Sequence, residues 1–542
     1  MQRNHTVPLE NNSRTLKQKV FLGLSRMDLV LVILLAIITG LYVFLMIKDI
    51  VPPIGFMIIG SLWLLYWILG GRFSYATPID LPVIGILLLT PINLAISVEK
   101  NLTLEKIYGL ILSVVIFYWI VNFLRGIPRL WFVILVLIAL ATAIPILGLI
   151  GADWSGSNFT LPSRIAAALT SRFGFLDRLT SGGGIHVNTI GGTLSFFVPL
   201  LLGLFLDGGA FKQASFFKQQ PINSLIIVYK IILVIVLILV LFVLFLTQSR
   251  GSYLGSGIGV LALLVWKDRR FLWLIPILFV GLILVFAIFA NGNPSEFFAL
   301  LDTEQDKNTL QVRLNYWERT IYLIQDFPFT GAGLGTYNNI FQQLYLFNPF
   351  TTEAETSFYA HNLYLGVTAG MGIPALVLYF TLISGFISMV FTSIKKVQPI
   401  ARILLMGLSS GFLAHLIYGI MDNYLPGEKL GAVMWIFFGV VTAIFVHPEY
   451  LAINASGNAT NGDRKVRMKF PQWTLIFVIG LLTWVLISLA AITLINTRPI
   501  TSLVIAAAGG IILGLIFSGR FSKAMHASAI NNIMADTGPV QV

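Results

Sequence analysis

Apolar positions in this chain do not alternate with polar ones; they gather in long unbroken stretches. A helix needs about 17 to 25 apolar residues to cross a bilayer, and stretches of about that kind lie near 29-47, 54-70, 80-98, 106-124, 130-150, 188-206, 224-247, 252-266, 271-290, 362-393, 403-420, 430-446, 473-495 and 501-518. In hydrocarbon only a helix or a closed barrel satisfies its own backbone. The pattern therefore predicts an all-α, polytopic helical bundle with about fourteen transmembrane helices. The 252-266 stretch is the shortest and holds three glycines, which predicts a tilted or partly re-entrant element.

Polar connections are mostly short, so 29-446 reads as one membrane core of twelve spans, preceded by a polar segment 1-28. Residues 447-470 form a basic linker to an accessory helix pair at 471-520, and 521-542 is a tail. Two connections break the rule. Residues 151-187 contain Trp154, Arg164, Arg172, Arg178 and Gly182-Gly183-Gly184, and 291-360 is the longest non-spanning segment. Long connections in compact proteins are often lids or binding elements. Within the second, Leu314, Trp317, Ile321 and Ile324 recur at helical spacing and predict a short amphipathic helix over Val312–Gln325, roofing the bundle or lying on the membrane. The following DFPFTGAGLGTY has Pro328 to stop that helix and Gly331, Gly333 and Gly335 for close turns; it lacks the lysine and hydroxyl of a P-loop.

Composition agrees: the chain is 57% hydrophobic and 11% charged, with a mean hydropathy of +0.87. Its net charge of +12 does not point to nucleic acid, because the basic residues sit mostly between apolar stretches. With the N-terminus placed inside, 22 Lys and Arg fall on the inner side and 12 on the outer, with Lys230 in a span, so both termini are expected to be cytoplasmic. The first span lacks a cleavage context and reads as an uncleaved anchor. The absence of cysteine removes thiolate nucleophiles, thiolate metal ligands and disulfides.

Two charged or titratable residues stand at predicted outer helix starts. Arg250, in TQSRGSYL, either snorkels as an interfacial anchor or joins free helix amides in binding a phosphate or diphosphate. His361, followed by Asn362, is either held by loop carbonyls or acts as a general base, since the positive helix end favours the neutral imidazole. His186 begins another outer helix and is a reserve candidate; His415, within a span, reads as packed. No spaced ligand cluster of the HExxH kind is present, so no metal and no cofactor is expected.

The SRG segment at Arg250, the Arg313–Trp317 segment with Pro328 and GAGLG, and the HN pair followed by Gly372 resemble the O-antigen ligase and polymerase superfamily over roughly residues 225 to 445. That superfamily includes lipid A core ligases, O-antigen polymerases and protein O-oligosaccharyltransferases. Its histidine motif expects Gly, Thr or Tyr five positions beyond Gly372, where this chain has Val377.

The resemblance implies transfer of a glycan from an undecaprenyl-diphosphate carrier to a glycan, lipid or protein hydroxyl, with inversion and without a metal ion. The reaction would take place at the periplasmic face of the bacterial inner membrane. It implies His361 as base and Arg250, Arg313 and Arg319 as diphosphate contacts. Asn362, Trp317, Tyr316, Tyr337 and Glu355 become sugar or acceptor contacts, and Asp422 an outer carboxylate able to assist. The alternative is a small-solute carrier of the bicarbonate-transporter type, against which stand the absence of a paired inverted repeat and the scarcity of acidic residues in spans.

Overall fold

The computed structural model describes residues 26–48, 50–70, 72–153, 185–207, 222–289, 309–345, 360–422, 427–451, 470–493 and 499–536. Along the chain run α1 (Arg26–Lys48), α2 (Pro53–Gly70), α3 (Asp80–Ile96), α4 (Lys100–Phe123), α5 (Gly126–Gly151), α6 (Val187–Leu206), α7 (Ile222–Thr247), α8 (Arg250–Lys267) and α9 (Leu274–Phe289). After these come α10 (Thr309–Asp326), α11 (Tyr337–Leu344), α12 (Leu363–Ser393), α13 (Pro399–Met421), α14 (Ala432–Val446), α15 (Phe470–Thr493) and α16 (Pro499–Asp536). Each of the fourteen apolar stretches has most of its length in one of these helices, and the remaining two, α10 and α11, come from the long polar segment.

Among the described residues eight helices, α2, α4, α5, α6, α7, α12, α13 and α16, are long and apolar enough to cross a membrane, and α1, α3, α14 and α15 contain shorter apolar stretches. The protein is a polytopic helical bundle. Two-residue strands, β1 (Ala152–Asp153) and β2 (Ile185–His186), pair in parallel and bring together the ends of the 154–184 connection; that connection, with Trp154 and its arginines, lies outside the described residues.

α8 is one continuous helix of 18 residues. Its glycines have a packing role. A side chain at Gly255 would strike the Ala414 carbonyl, and one at Gly259 would come within 2.7 Å of the Ser410 carbonyl oxygen. Gly411 in turn lies against the Phe196 carbonyl. Glycine thus lets α6, α8 and α13 approach backbone to backbone, as small residues do where lipid supplies no hydrophobic drive. His415 sits inside this trio, fully buried, its ring stacked on Phe196 at 4.3 Å.

α12 is broken. Gly372 takes φ 78°, ψ 177°, and a Cβ there would collide with the Phe329 carbonyl oxygen. With Pro374 lacking an N–H, the carbonyls of Ala369 and Gly370 lose their helical partners. The glycine-rich turn replaces them: Ala332 N donates to Ala369 O at 2.7 Å, Gly333 N to Gly370 O at 3.1 Å, and Ile373 N returns a bond to Pro328 O at 2.8 Å. Asn93 of α3 completes the seam, donating to Gly370 O at 2.7 Å and accepting from Leu334 N at 2.6 Å. Gly331, Gly333 and Gly335 all adopt positive φ, which glycine alone takes at no steric cost. The turn is a plug for a broken span, and its amides are committed to that role.

At the opposite end of the bundle Arg129 pairs with Asp28 at 2.8 Å, and the Arg72 and Arg125 guanidiniums lie 4.7 and 5.2 Å from the Tyr75 ring centre. His447 is buried there against the Val121 carbonyl oxygen at 2.8 Å. Arg72, Arg125 and Arg129, all counted as inner, therefore gather at the end of the bundle away from His361.

Candidate functional site

Five consecutive residues at the end of α13 organise the site. Tyr418 is fully buried and donates its hydroxyl to the Asn188 carbonyl at the start of α6, at 2.8 Å. Gly419 lies against the Leu363 side chain at the start of α12. The Ile420 carbonyl accepts from the Asn362 side chain at 3.0 Å. Met421 abuts Gly251 at the start of α8, where an added Cβ would sit 3.0 Å from the Met421 Cβ. Asp422 then turns to His361, its Oδ1 3.3 Å from Nδ1.

Three helix N-termini thus meet at one point, and two of them are closed by a side-chain cap. His186 caps α6 by accepting from Asn188 N at 3.2 Å, Ser249 stands at the cap of α8, and Asn362 caps α12 by accepting from Tyr364 N and Leu365 N, both at 3.0 Å. Such a cap is worth about 1 kcal/mol. Each N-terminus carries about half a positive charge, so their convergence favours an anion. Among the described residues only Gln248, at φ 53°, and His361, at φ 43°, are non-glycines with positive φ, and each stands one place before the cap of a site helix. Left-handed backbone costs such residues about 1 to 2 kcal/mol, and strain of this kind clusters at functional positions.

α10 forms the roof. Its Tyr316 ring stacks on the His361 imidazole at 5.8 Å, and Trp317 Nε1 donates to the His361 carbonyl at 3.4 Å. Arg313 lies one turn from both residues; its Nε is buried and makes no hydrogen bond among the described residues. The Arg319 Nε is buried as well, and its guanidinium reaches over the exposed Tyr322 ring at 5.9 Å. Arg250 is exposed at the first turn of α8, joined to the site through Gly251 and Met421.

The aromatic residues named from sequence divide into two kinds. Trp317 is half-buried beside His361, whereas Tyr316 is only 5% exposed and belongs to the roof core with Leu323, Ile324 and Phe341. Tyr337 is bonded to Thr320 at 2.6 Å and stacked on Phe341 at 5.3 Å, and burial pushes its hydroxyl pKa up. Tyr316 is buried in the roof core, and Tyr337, partly buried as Trp317 is, is tied to that core through Thr320 and Phe341. Glu355 lies outside the described residues.

Asp422, expected as an outer carboxylate able to assist, is 7% exposed and paired with the imidazole. Asn93 was not singled out, although a lone asparagine in an apolar stretch is the signal that an intramembrane polar residue gives. Among the described residues no group of three His, Cys, Asp or Glu side chains is arranged to hold a metal ion.

Fold and site together define a polytopic helical membrane protein in which α10 covers an imidazole–carboxylate pair at one end of the bundle. Residues 235–380 match the family model described as O-Antigen ligase, which supports membership of the O-antigen ligase and polymerase superfamily for the core of the chain. The matched segment spans Arg250, Arg313, the glycine turn, His361 and Gly372, and stops short of Asp422. The comparison with curated proteins finds no match. The matched domain supports a membrane glycosyltransferase of the ligase or polymerase type.

Proposed function

We infer that this protein transfers a glycan from a polyprenyl-diphosphate carrier, of the undecaprenyl type, to an acceptor hydroxyl at the outer face of a bacterial inner membrane. The observation that carries this reading is the His361–Asp422 pair at the meeting point of three helix N-termini. Asp422 holds a proton on Nδ1, which leaves the basic lone pair on Nε2. Nε2 takes the proton from the acceptor hydroxyl as its oxygen bonds to the anomeric carbon. The bond from that carbon to the diphosphate oxygen breaks, its electron pair leaves with the lipid diphosphate, and configuration inverts.

Charge grows on the leaving group, and fixed positive groups aimed at it supply electrostatic stabilisation. Arg313, Arg250 and the helix N-termini fill that role here, which supports a reaction that runs without a metal ion. Arg319, turned to Tyr322, is the weaker contact. Trp317, half-buried beside the imidazole, is the aromatic face best placed for a sugar.

The test is transfer by reconstituted protein supplied with a polyprenyl-diphosphate glycan and an acceptor. His361→Ala should lose between about 10²- and 10⁴-fold in rate, the usual worth of a general base, while still binding the donor. Normal turnover by that variant, or solute accumulation in vesicles without any lipid-linked donor, would overturn the reading.

A further inference from the structure

The head that carries His361 and Asn362 sits on the short outer piece of α12, Leu363–Met371, and the break at Gly372 separates that piece from the long inner one. The helix's own hydrogen bonding therefore does not fix the head relative to the rest of the bundle. α16 runs beside both pieces. At the inner piece, Ser384 Oγ donates to the Gly510 carbonyl at 3.4 Å, and a Cβ on Gly514 would come within 2.6 Å of the Thr381 carbonyl oxygen. At the break, Ala506 is fully buried with Ile373 and Val377. Beyond it, Leu503 belongs to two apolar clusters at once, that of the break and that of the roof, which holds Tyr316 and Ala369. Ser502 ties this turn to α15 through the Ser488 carbonyl at 2.6 Å.

We propose that α16 is a splint across the break in α12, and that Leu503 and Gly514 are positioning residues for His361. Backbone-close packing at Gly514 makes the inner contact stiff, and Leu503 carries that stiffness past the break to the outer piece and the roof. The inference rests on His361 being the base. The last helix pair would then be part of the working core, although it lies outside the matched segment.

The chain has no cysteine, so spin labels attach only where one is introduced. Labels at Leu314→Cys on the roof and Ile420→Cys at the end of α13, residues 43% and 39% exposed, report the roof's distance from the site hub. In the full-length reconstituted protein, Leu503→Ala and Gly514→Leu should broaden that distance distribution and lower kcat about 10- to 100-fold, the cost of ångström-scale misplacement. The KM for donor should stay unchanged, and Leu503→Met should restore both readouts. Should Gly514→Leu fail to fold, Leu503→Ala decides. An unchanged distribution in Leu503→Ala overturns the splint, and a broadened one with unchanged kcat overturns the positioning role. Broadening alongside an active His361→Ala leaves the splint standing and removes the catalytic reading instead.

Discussion

His361 Nδ1 and Asp422 Oδ1 lie 3.3 Å apart, linking the head of α12 to the last residue of the α13 hub across 61 positions of sequence. If the carboxylate orients the imidazole, Asp422→Asn should lower kcat by up to about 10⁴-fold, as loss of the orienting aspartate does in a Ser-His-Asp triad. Donor affinity should not change. An unchanged kcat would reduce Asp422 to a packing residue.

Gly372→Ala should destabilise the fold. The alanine would have to hold φ near 78° and displace the Phe329 carbonyl, a combined strain of roughly 2 to 3 kcal/mol. Asn93→Leu should cost about 1 to 3 kcal/mol by leaving the buried Leu334 N without its partner, while Gly370 O keeps its bond from Gly333 N. Thermal unfolding in detergent checks both.

Arg313 and Arg319 should separate cleanly. Arg313→Ala should weaken binding of a polyprenyl diphosphate about 10- to 100-fold, the worth of hydrogen bonds to a charged group. Arg319→Ala should change it little. Equal losses for the two variants in a direct binding measurement would contradict the assignment of Arg313 to the site side of α10.

Acid should loosen the opposite end of the bundle through His447. Burial holds its pKa below the ordinary histidine value of 6.5; the Val121 carbonyl and Glu449 oppose the shift, and Arg125 and Arg72 add to it. The unfolded chain therefore takes up the extra proton as pH falls through that value. Stability from this residue is complete above it and declines below it, by up to about 1.4 kcal/mol per pH unit. Melting temperatures either side of about pH 6.5 should fall less on acidification in His447→Gln than in the parent protein.

Much of the fold was legible because hydrocarbon imposes a simple rule: every long apolar stretch had to close its own backbone, and each became a helix. The helical spacing of Leu314, Trp317, Ile321 and Ile324 gave α10 in the same way, since that face repeats every 3.6 residues. His361 and Arg250 stood out as polar residues at helix starts. Asp422 did not, because its burial comes from the convergence of α8, α12 and α13, which no local pattern encodes. The same limit applied to the roof tyrosines: a sequence shows an aromatic ring, and only the packing of Phe341, Thr320 and His361 around Tyr316 and Tyr337 shows which way it is used. The GAGLG turn was legible as turns, but its amide partners at Ala369 and Gly370 were not.

The interruption in α12 also dictates an order of events during synthesis. Asn93 and residues 328–334, whose polar groups serve Ala369, Gly370 and Ile373, all precede those positions in the chain. When the interrupted span leaves the ribosome, everything needed to shield its exposed carbonyls from lipid has already been made. α16, by contrast, follows the interrupted span in the chain, so its contacts across the break form only after that span has been made.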